Sequence, residues 1–182
     1  MRYDVLKLEE HHAWRARPGC KILVINQGEL RLEYPQEWVI AVDPDCLRIR
    51  DREPPDDRCT LGISVLKLPG LDESGAPLSM LVEAAVADDQ RRPTERGPVH
   101  SYLRAGLEAA WTEFAFVDAV GRRKALARLG LAREKAARVQ ALMSLEFWPE
   151  DRDWVARFWE SVLESLELGG FIADPTRGPV TH

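Results

Sequence analysis

Apolar and polar positions alternate in "GELRLEYPQEWVIAV", residues 28–42. Leu30, Leu32 and Tyr34 fall on one side and Glu29, Arg31 and Glu33 on the other, the period of two of a half-buried strand. The run "KILVI" before Gly28 is continuously apolar and β-branched, so residues 21–34 read as a hairpin. Pro35 cannot donate to a ladder and ends that pairing. Trp38 then folds back over the apolar face before "WVIAV" opens a new strand. "DPD" at 43–45 turns the chain into "CLRIRD", and "TLGISVLKL" follows with Leu61, Ile63 and Val65 on one face.

The period then changes. Leu78, Leu81, Val82, Ala85 and Val86 recur at helical spacing behind Pro77, which predicts a helix over 77–88. Residues 88–101, "DDQRRPTERGPVHS", are dense in charge and carry two prolines, and they read as a loop. "WTEFAFV" is rich in aromatic and β-branched residues and predicts a strand over 108–118. In "RKALARLGLAREKAARVQALMSLEFW" composition favours a helix, yet Ala137, Val139, Ala141, Met143, Leu145 and Phe147 alternate with their neighbours. Gly130 is also awkward within a helix, so two strands are expected, 123–133 and 137–148, joined tightly at 134–136. Asp151 is placed to cap a last helix whose stripe is Trp154, Val155, Phe158, Trp159, Val162, Leu163 and Leu166, ended by Gly169 and Gly170.

Strands outnumber helices and hairpins outnumber crossovers, which predicts an α+β fold with a mainly antiparallel sheet. The expected organisation is an N-terminal arm over 1–19, a single domain over 20–168 and an irregular tail over 169–182.

The order of "LRLEYPQEWVIAVDPDCLRIRD", "LGISVLKLP", a helix, and "ARVQALMSLEFWPEDRDWVARFWESVLESLEL" resembles the PsbP-like superfamily, as a bacterial-type member. That superfamily includes the extrinsic photosystem II subunit and a Ran-GTPase-binding nuclear import factor. The resemblance covers residues 20–168 and rests on the strand followed by Pro35 and Trp38 and on the strand leading into a terminal helix that ends at Ser165-Leu166. It implies an antiparallel sheet sandwiched between helices (α/β/α). It also implies protein binding or help in assembly, with no shared catalytic residues to transfer.

Charge and cysteine usage narrow the function classes. A net charge of -5 argues against a chain that works by neutralising phosphates, so nucleic acid is not an expected partner. No run of about 20 apolar residues occurs, so no membrane partner is expected either, and the expected compartment is the cytoplasm. Cys20, Cys46 and Cys59 are odd in number and far apart, which fits reduced thiols in or beside strands.

Several clusters hold chemistry-bearing side chains, and each has an ordinary reading. Glu9, Glu10, His11 and His12 lack the i, i+4 histidine pairing of a helical zinc site and read as a solvated segment. Asp51, Glu53, Asp56 and Asp57 share a proline-stiffened turn without the glycine and spacing of a calcium loop. Arg91, Arg92, Arg96 and Arg104 with Tyr102 and Trp111 form a mixture that can hold phosphate, but Asp88, Asp89 and Glu95 offset it. Arg122, Arg123 and Lys124 form a smaller cluster at a hairpin corner, and the tryptophans at 148, 154 and 159 fit a core stripe better than a cage.

No GxSxG, GxGxxG or P-loop pattern is present, so no catalytic residue, cofactor or metal is expected. Two functions stay open: a non-catalytic binding or assembly module for another protein, and a small enzyme or small-molecule binder using a pocket at one end of the sheet. For the second, His100, Tyr102 and Asp118 are the candidate pocket residues.

Overall fold

The computed structural model of this chain describes residues 14–43, 46–67, 75–134, 136 and 138–174. The strands, in chain order, are β1 (Cys20–Ile25), β2 (Leu30–Pro35), β3 (Val39–Val42), β4 (Leu47–Arg50), β5 (Cys59–Lys67), β6 (Glu95–Arg104), β7 (Leu107–Val117), β8 (Lys124–Glu134), β9 (Val139–Phe147) and β10 (Glu167–Leu168). Helix α1 (Leu78–Ala87) precedes β6, and helix α2 (Arg152–Ser165) follows β9. The fold is α+β, mostly antiparallel sheet with two α-helices among the described residues. Among the described residues a seven-stranded sheet has the order β3-β4-β5-β9-β8-β7-β6 and a three-stranded sheet the order β1-β2-β10.

Pro35 and Trp38 mark the point where the chain leaves one sheet for the other. The Trp38 N–H donates to the Pro35 carbonyl at 3.1 Å, which turns the backbone. The indole then lies 4.3 Å from the Phe158 ring and edge-on to Trp154 at 6.2 Å. The sequence break at Pro35 is therefore a change of sheet pinned by an aromatic cluster against α2.

The segment where helical composition and strand periodicity disagree forms the centre of the large sheet. β8 pairs with β9 from Leu126↔Phe147 to Glu134↔Val139, and β7 pairs with β8 over its whole length. Residues 125–133 are buried without interruption. A strand covered on both faces needs no polar alternation, which is how an Ala- and Leu-rich run can be a strand. Residues 135 and 137 of the connection lie outside the described residues.

The register divides this sheet into two faces. On the Met143 face, Ile63, Met143 and Leu145 cluster with Val155, Phe158 and Trp159 of α2 and with Leu23, Leu30 and Leu32 of the small sheet. On the Ser144 face, Leu78 and Val82 of α1 meet Ala110 and Leu131, and Val86 meets Phe114, Ala127 and Leu129. Gly130 sits on the Met143 face, opposite Met143 in the ladder.

Three expectations change. Residues 95–101, expected in a loop, belong to β6. β6 is an edge strand, hydrogen-bonded on one side and exposed along most of its length, so its sequence carries little apolar alternation. Pro98 falls at its register shift between Arg96 and Val99. Asp151 occupies the cap position without a side-chain cap bond, because its carboxylate is taken by Arg58 at 2.7 Å and by the Trp154 indole N–H at 2.9 Å. The last helix stops at Ser165, not at Gly169, because Glu167 and Leu168 pair with β2 as β10. Past that strand, the buried Ile172 donates its N–H to the Gln27 carbonyl at 2.7 Å.

Candidate functional site

Helix α1 shields β7 and β8 on the Ser144 face and reaches only Leu142 of β9. Beyond it, β9, β5 and β4 present Ser144, Glu146, Thr60, Gly62, Ser64, Arg48 and Arg50. Their alternate residues, Leu145, Leu61, Ile63 and Ile49, point into the core. A groove of about 200 Å³ runs over this surface, with Gly62 in its floor between Arg48 on one neighbouring strand and Ser144 on the other.

The two walls carry opposite charges, each fixed by a partner outside the floor. Arg48 Nε lies 2.6 Å from Asp43 Oδ2, an ion pair off the axis of a hydrogen bond. Burial works against the Arg48 charge, but a side-chain hydrogen bond with Cys46 and the nearby Asp43 and Glu146 carboxylates outweigh it and raise its pKa. On the other wall, Glu146 Oε1 accepts from Arg91 at 2.6 Å, and Arg91 also donates to Ser144 Oγ at 3.0 Å. Arg91 is held in turn by two bonds to the Asp89 carboxylate, at 2.8 and 2.6 Å, and lies over the Phe114 ring at 4.9 Å. For Arg91 too, burial opposes the charge and the Asp89 and Glu146 carboxylates overcome it.

The sequence candidates are distributed differently. His100 stacks on Trp111 with ring centroids 4.2 Å apart, and Tyr102 lies two residues further along β6 on the same face, half-buried against the core. Asp118 follows β7, where its carboxylate accepts from the Gly121 N–H and its carbonyl from the Arg122 N–H. His100 pairs with Trp111, seven residues before Asp118, a separation of about 23 Å at strand rise. The structure brings His100 and Tyr102 together and leaves Asp118 apart.

The arginines grouped in sequence also separate. Arg91 donates to Ser144 and Glu146 of the groove wall, whereas Arg104 donates to the Glu164 and Leu166 carbonyls at the end of α2. In the 51–58 turn, Asp51 accepts from the Arg58 and Cys59 N–H groups and Asp57 accepts from Thr60, which closes the loop. Trp148, Trp154 and Trp159 meet different partners: Arg123, Trp38 and Trp111. Residues 9–12 lie outside the described residues. Among the described residues, no group of three or more His, Cys, Asp or Glu is placed to hold a metal ion, and no helix is long and apolar enough to cross a membrane. The groove residues escaped sequence reasoning, although Gly62, a glycine inside the alternation of "TLGISVL", was a readable signal.

Comparison with known proteins follows the fold closely. The family model described as Alr1449 matches residues 21–172. The uncharacterized protein alr1449 of Nostoc sp. (strain PCC 7120 / SAG 25.82 / UTEX 2576) is 33% identical over 176 residues, covering 96% of this chain and 91% of the relative. Among solved structures, cyanobacterial PsbP (CyanoP) from Synechocystis sp. PCC 6803 superimposes with a TM-score of 0.59 at 13% identity, over 84% of this chain and 94% of that one. The Ran-binding protein Mog1p of Saccharomyces cerevisiae superimposes with a TM-score of 0.58 at 8% identity, over 82% and 95%. At these identities the likeness establishes a PsbP-like fold.

Proposed function

The chain belongs to the Alr1449 family, and from its PsbP-like fold we propose that it is a non-catalytic binding or assembly module whose ligand is another protein. The observation that carries this reading is the open half of the large sheet. Beside the part shielded by α1, the Ser144 face presents Arg48, Leu66 and Glu146, each 43–47% exposed, in a mixed polar and apolar surface. Mog1p, built on the same fold, is a Ran-binding protein, which supports protein binding as one use of this fold. A net charge of -5 favours protein over nucleic acid as the partner.

The same reading takes the architecture as a sheet sandwiched between helices. It is supported by α1 clustering with the Ser144 face and by Trp159 of α2 meeting Gly130 on the other. One domain over 20–168, with an arm before it and an irregular tail after it, is supported by a core cluster that joins both sheets. Ile172 extends the buried contacts into the first residues of the tail. Three free thiols fit a cytoplasmic setting.

The test is affinity capture from cell extract with the wild-type chain beside an Arg50→Glu/Leu66→Asp variant, which alters the open face outside the groove. A partner retained by wild type and lost by the folded variant is the expected result. Equal capture by both, or no reproducible partner above background, overturns the reading. The second reading, a small-molecule binder or small enzyme, finds its support at the Gly62 groove, which is concave and lined by opposite charges, rather than at His100, Tyr102 and Asp118, which do not all come together.

A further inference from the structure

Three glycines lie inside long strands of the large sheet; Gly97 falls at the register shift of the edge strand β6, and of the other two only one is explained by packing. A Cβ placed on Gly130 would meet the Trp159 ring at 2.9 Å, so that glycine exists to admit a core side chain. A Cβ placed on Gly62 would meet nothing nearer than the Ser144 carbonyl oxygen at 3.7 Å, an ordinary contact. Gly62 also has no positive φ, and its ladders with β4 and β9 run without a register shift. A glycine inside a strand weakens it and often marks close approach by a ligand or another backbone. Here the space that a side chain would fill is the floor of the groove.

We propose that the Gly62 groove is a binding site for a small zwitterion of amino-acid size, with the ligand's carboxylate on Arg48 and its ammonium on Glu146. Asp43 engages Arg48 at Nε, which leaves the terminal N–H groups of the guanidinium fork for a carboxylate beyond the Cys46 contact. Arg91 engages Glu146 through Oε1, and among the described residues Oε2 accepts no hydrogen bond. Each wall therefore offers one charged end that its own partner holds in place, a pre-organised pair of opposite sign. Strands β4 and β9 flank β5, so the backbones of the two walls stand about 9.6 Å apart and both side chains can lean over Gly62. Thr60 and Ser144 add hydroxyl groups, and a groove of about 200 Å³ suits a ligand of amino-acid size. The site lies on the open face, but it does not require the protein partner proposed for that face.

The experiment uses the purified full chain alone, so a failed search for a protein partner leaves it intact. Backbone amide resonances are followed while glycine, γ-aminobutyrate, acetate and methylammonium are titrated separately. At least one amino acid should shift the Arg48, Gly62 and Ser144 amides saturably, with a Kd on the order of 1 mM, and both monofunctional ions should bind at least about tenfold more weakly. Gly62→Val should remain folded, because a β-branched side chain suits a strand and its Cβ makes only an ordinary contact, while filling the floor and weakening binding by about tenfold or more. Glu146→Gln should reduce the amino acid to the affinity of acetate. Acetate binding as tightly as the amino acids, the absence of saturable shifts, or unchanged binding in folded Gly62→Val would overturn the proposal.

Discussion

The ring of Trp159 occupies the space that a side chain at Gly130 would need. A Cβ on residue 130 would sit 2.9 Å from Cζ2 and 3.0 Å from Cη2 of the indole, and 3.3 Å from Cβ of Trp111. The indole is fully buried and meets Trp111 edge-on at 5.9 Å. The glycine lets α2 approach the sheet at its centre, and the tryptophan fills the gap thereby left.

Gly130→Ala should therefore destabilise the fold by about 1–3 kcal/mol through overpacking, and Trp159→Ala by about 3–5 kcal/mol through the cavity it opens. The two effects should not add. In a Trp159→Ala background the new methyl has room, so a double-mutant cycle from urea unfolding should give a coupling of about 0.5 kcal/mol or more. Additive losses would mean that the two residues do not share this space.

The Gly130 pair shows which part of the fold was legible in the sequence. The alternation of Val139, Ala141, Met143, Leu145 and Phe147 survives in the structure because those residues share the α2 side of the sheet and are all buried, the last four in the core cluster with α2. A complete buried face specifies register strongly, whereas helix propensity supplies only tenths of a kcal/mol per residue. β6 was illegible for the opposite reason. It is an exposed edge, so Arg96, His100 and Ser101 carry no core signal. The groove was harder still, because Arg48, Gly62 and Glu146 come from three strands distant in sequence and meet only through the pairing of β5 with β4 and β9. Within each strand Arg48 and Glu146 read as ordinary outward-facing positions.

Arg128 and Arg152 grip the same carboxylate with different consequences. Arg128 Nε lies 2.9 Å from Glu113 Oε2, its side chain 7% exposed, with the guanidinium over Trp111 at 4.8 Å. Arg152 lies 2.8 Å from Oε1 of the same glutamate but is 63% exposed. Arg128→Ala should cost about 3 kcal/mol or more, since it strips a buried pair and empties space beside Trp111. Arg152→Ala should cost less than about 1 kcal/mol. Chemical denaturation of both variants checks the order, and equal losses would show that the burial of Arg128 is not what matters.

Asp89 ties the end of α1 to β9 through Arg91, and this tie should give way in acid. Burial pushes the Asp89 carboxyl upward, but the Arg91 side-chain and backbone hydrogen bonds outweigh it and hold the group below its ordinary value. A depressed carboxyl stabilises the folded state at pH above the unfolded value of about 3.9, and that contribution disappears as pH falls through the lower folded value. Wild type should therefore lose more stability than Asp89→Asn between neutral pH and about pH 3, so that the difference in urea midpoint narrows on the acid side. Parallel curves for the two proteins would exclude Asp89 as a source of the acid sensitivity.

The three cysteines should differ in reactivity according to depth. Cys59 is 1% exposed at the start of β5, with its N–H bound to Asp51. Burial pushes its thiol far above the ordinary range, and the Asp51 and Asp151 carboxylates push the same way, so the thiolate that reacts with alkylating agents is scarce. Burial raises the Cys20 thiol as well, against the opposing charge of Arg17, but this residue is half-exposed. At mildly alkaline pH an aromatic disulfide reagent should reach Cys20 and Cys46 in the native protein and leave Cys59 untouched until denaturant opens the sheet. Labelling of Cys59 should then follow the unfolding transition seen by tryptophan fluorescence, because β5 cannot release its core face without parting from β9, its neighbour in the middle of the sheet. Prompt native labelling at Cys59, mapped by mass spectrometry, would show that β5 frays independently and that the floor of the groove is not rigid.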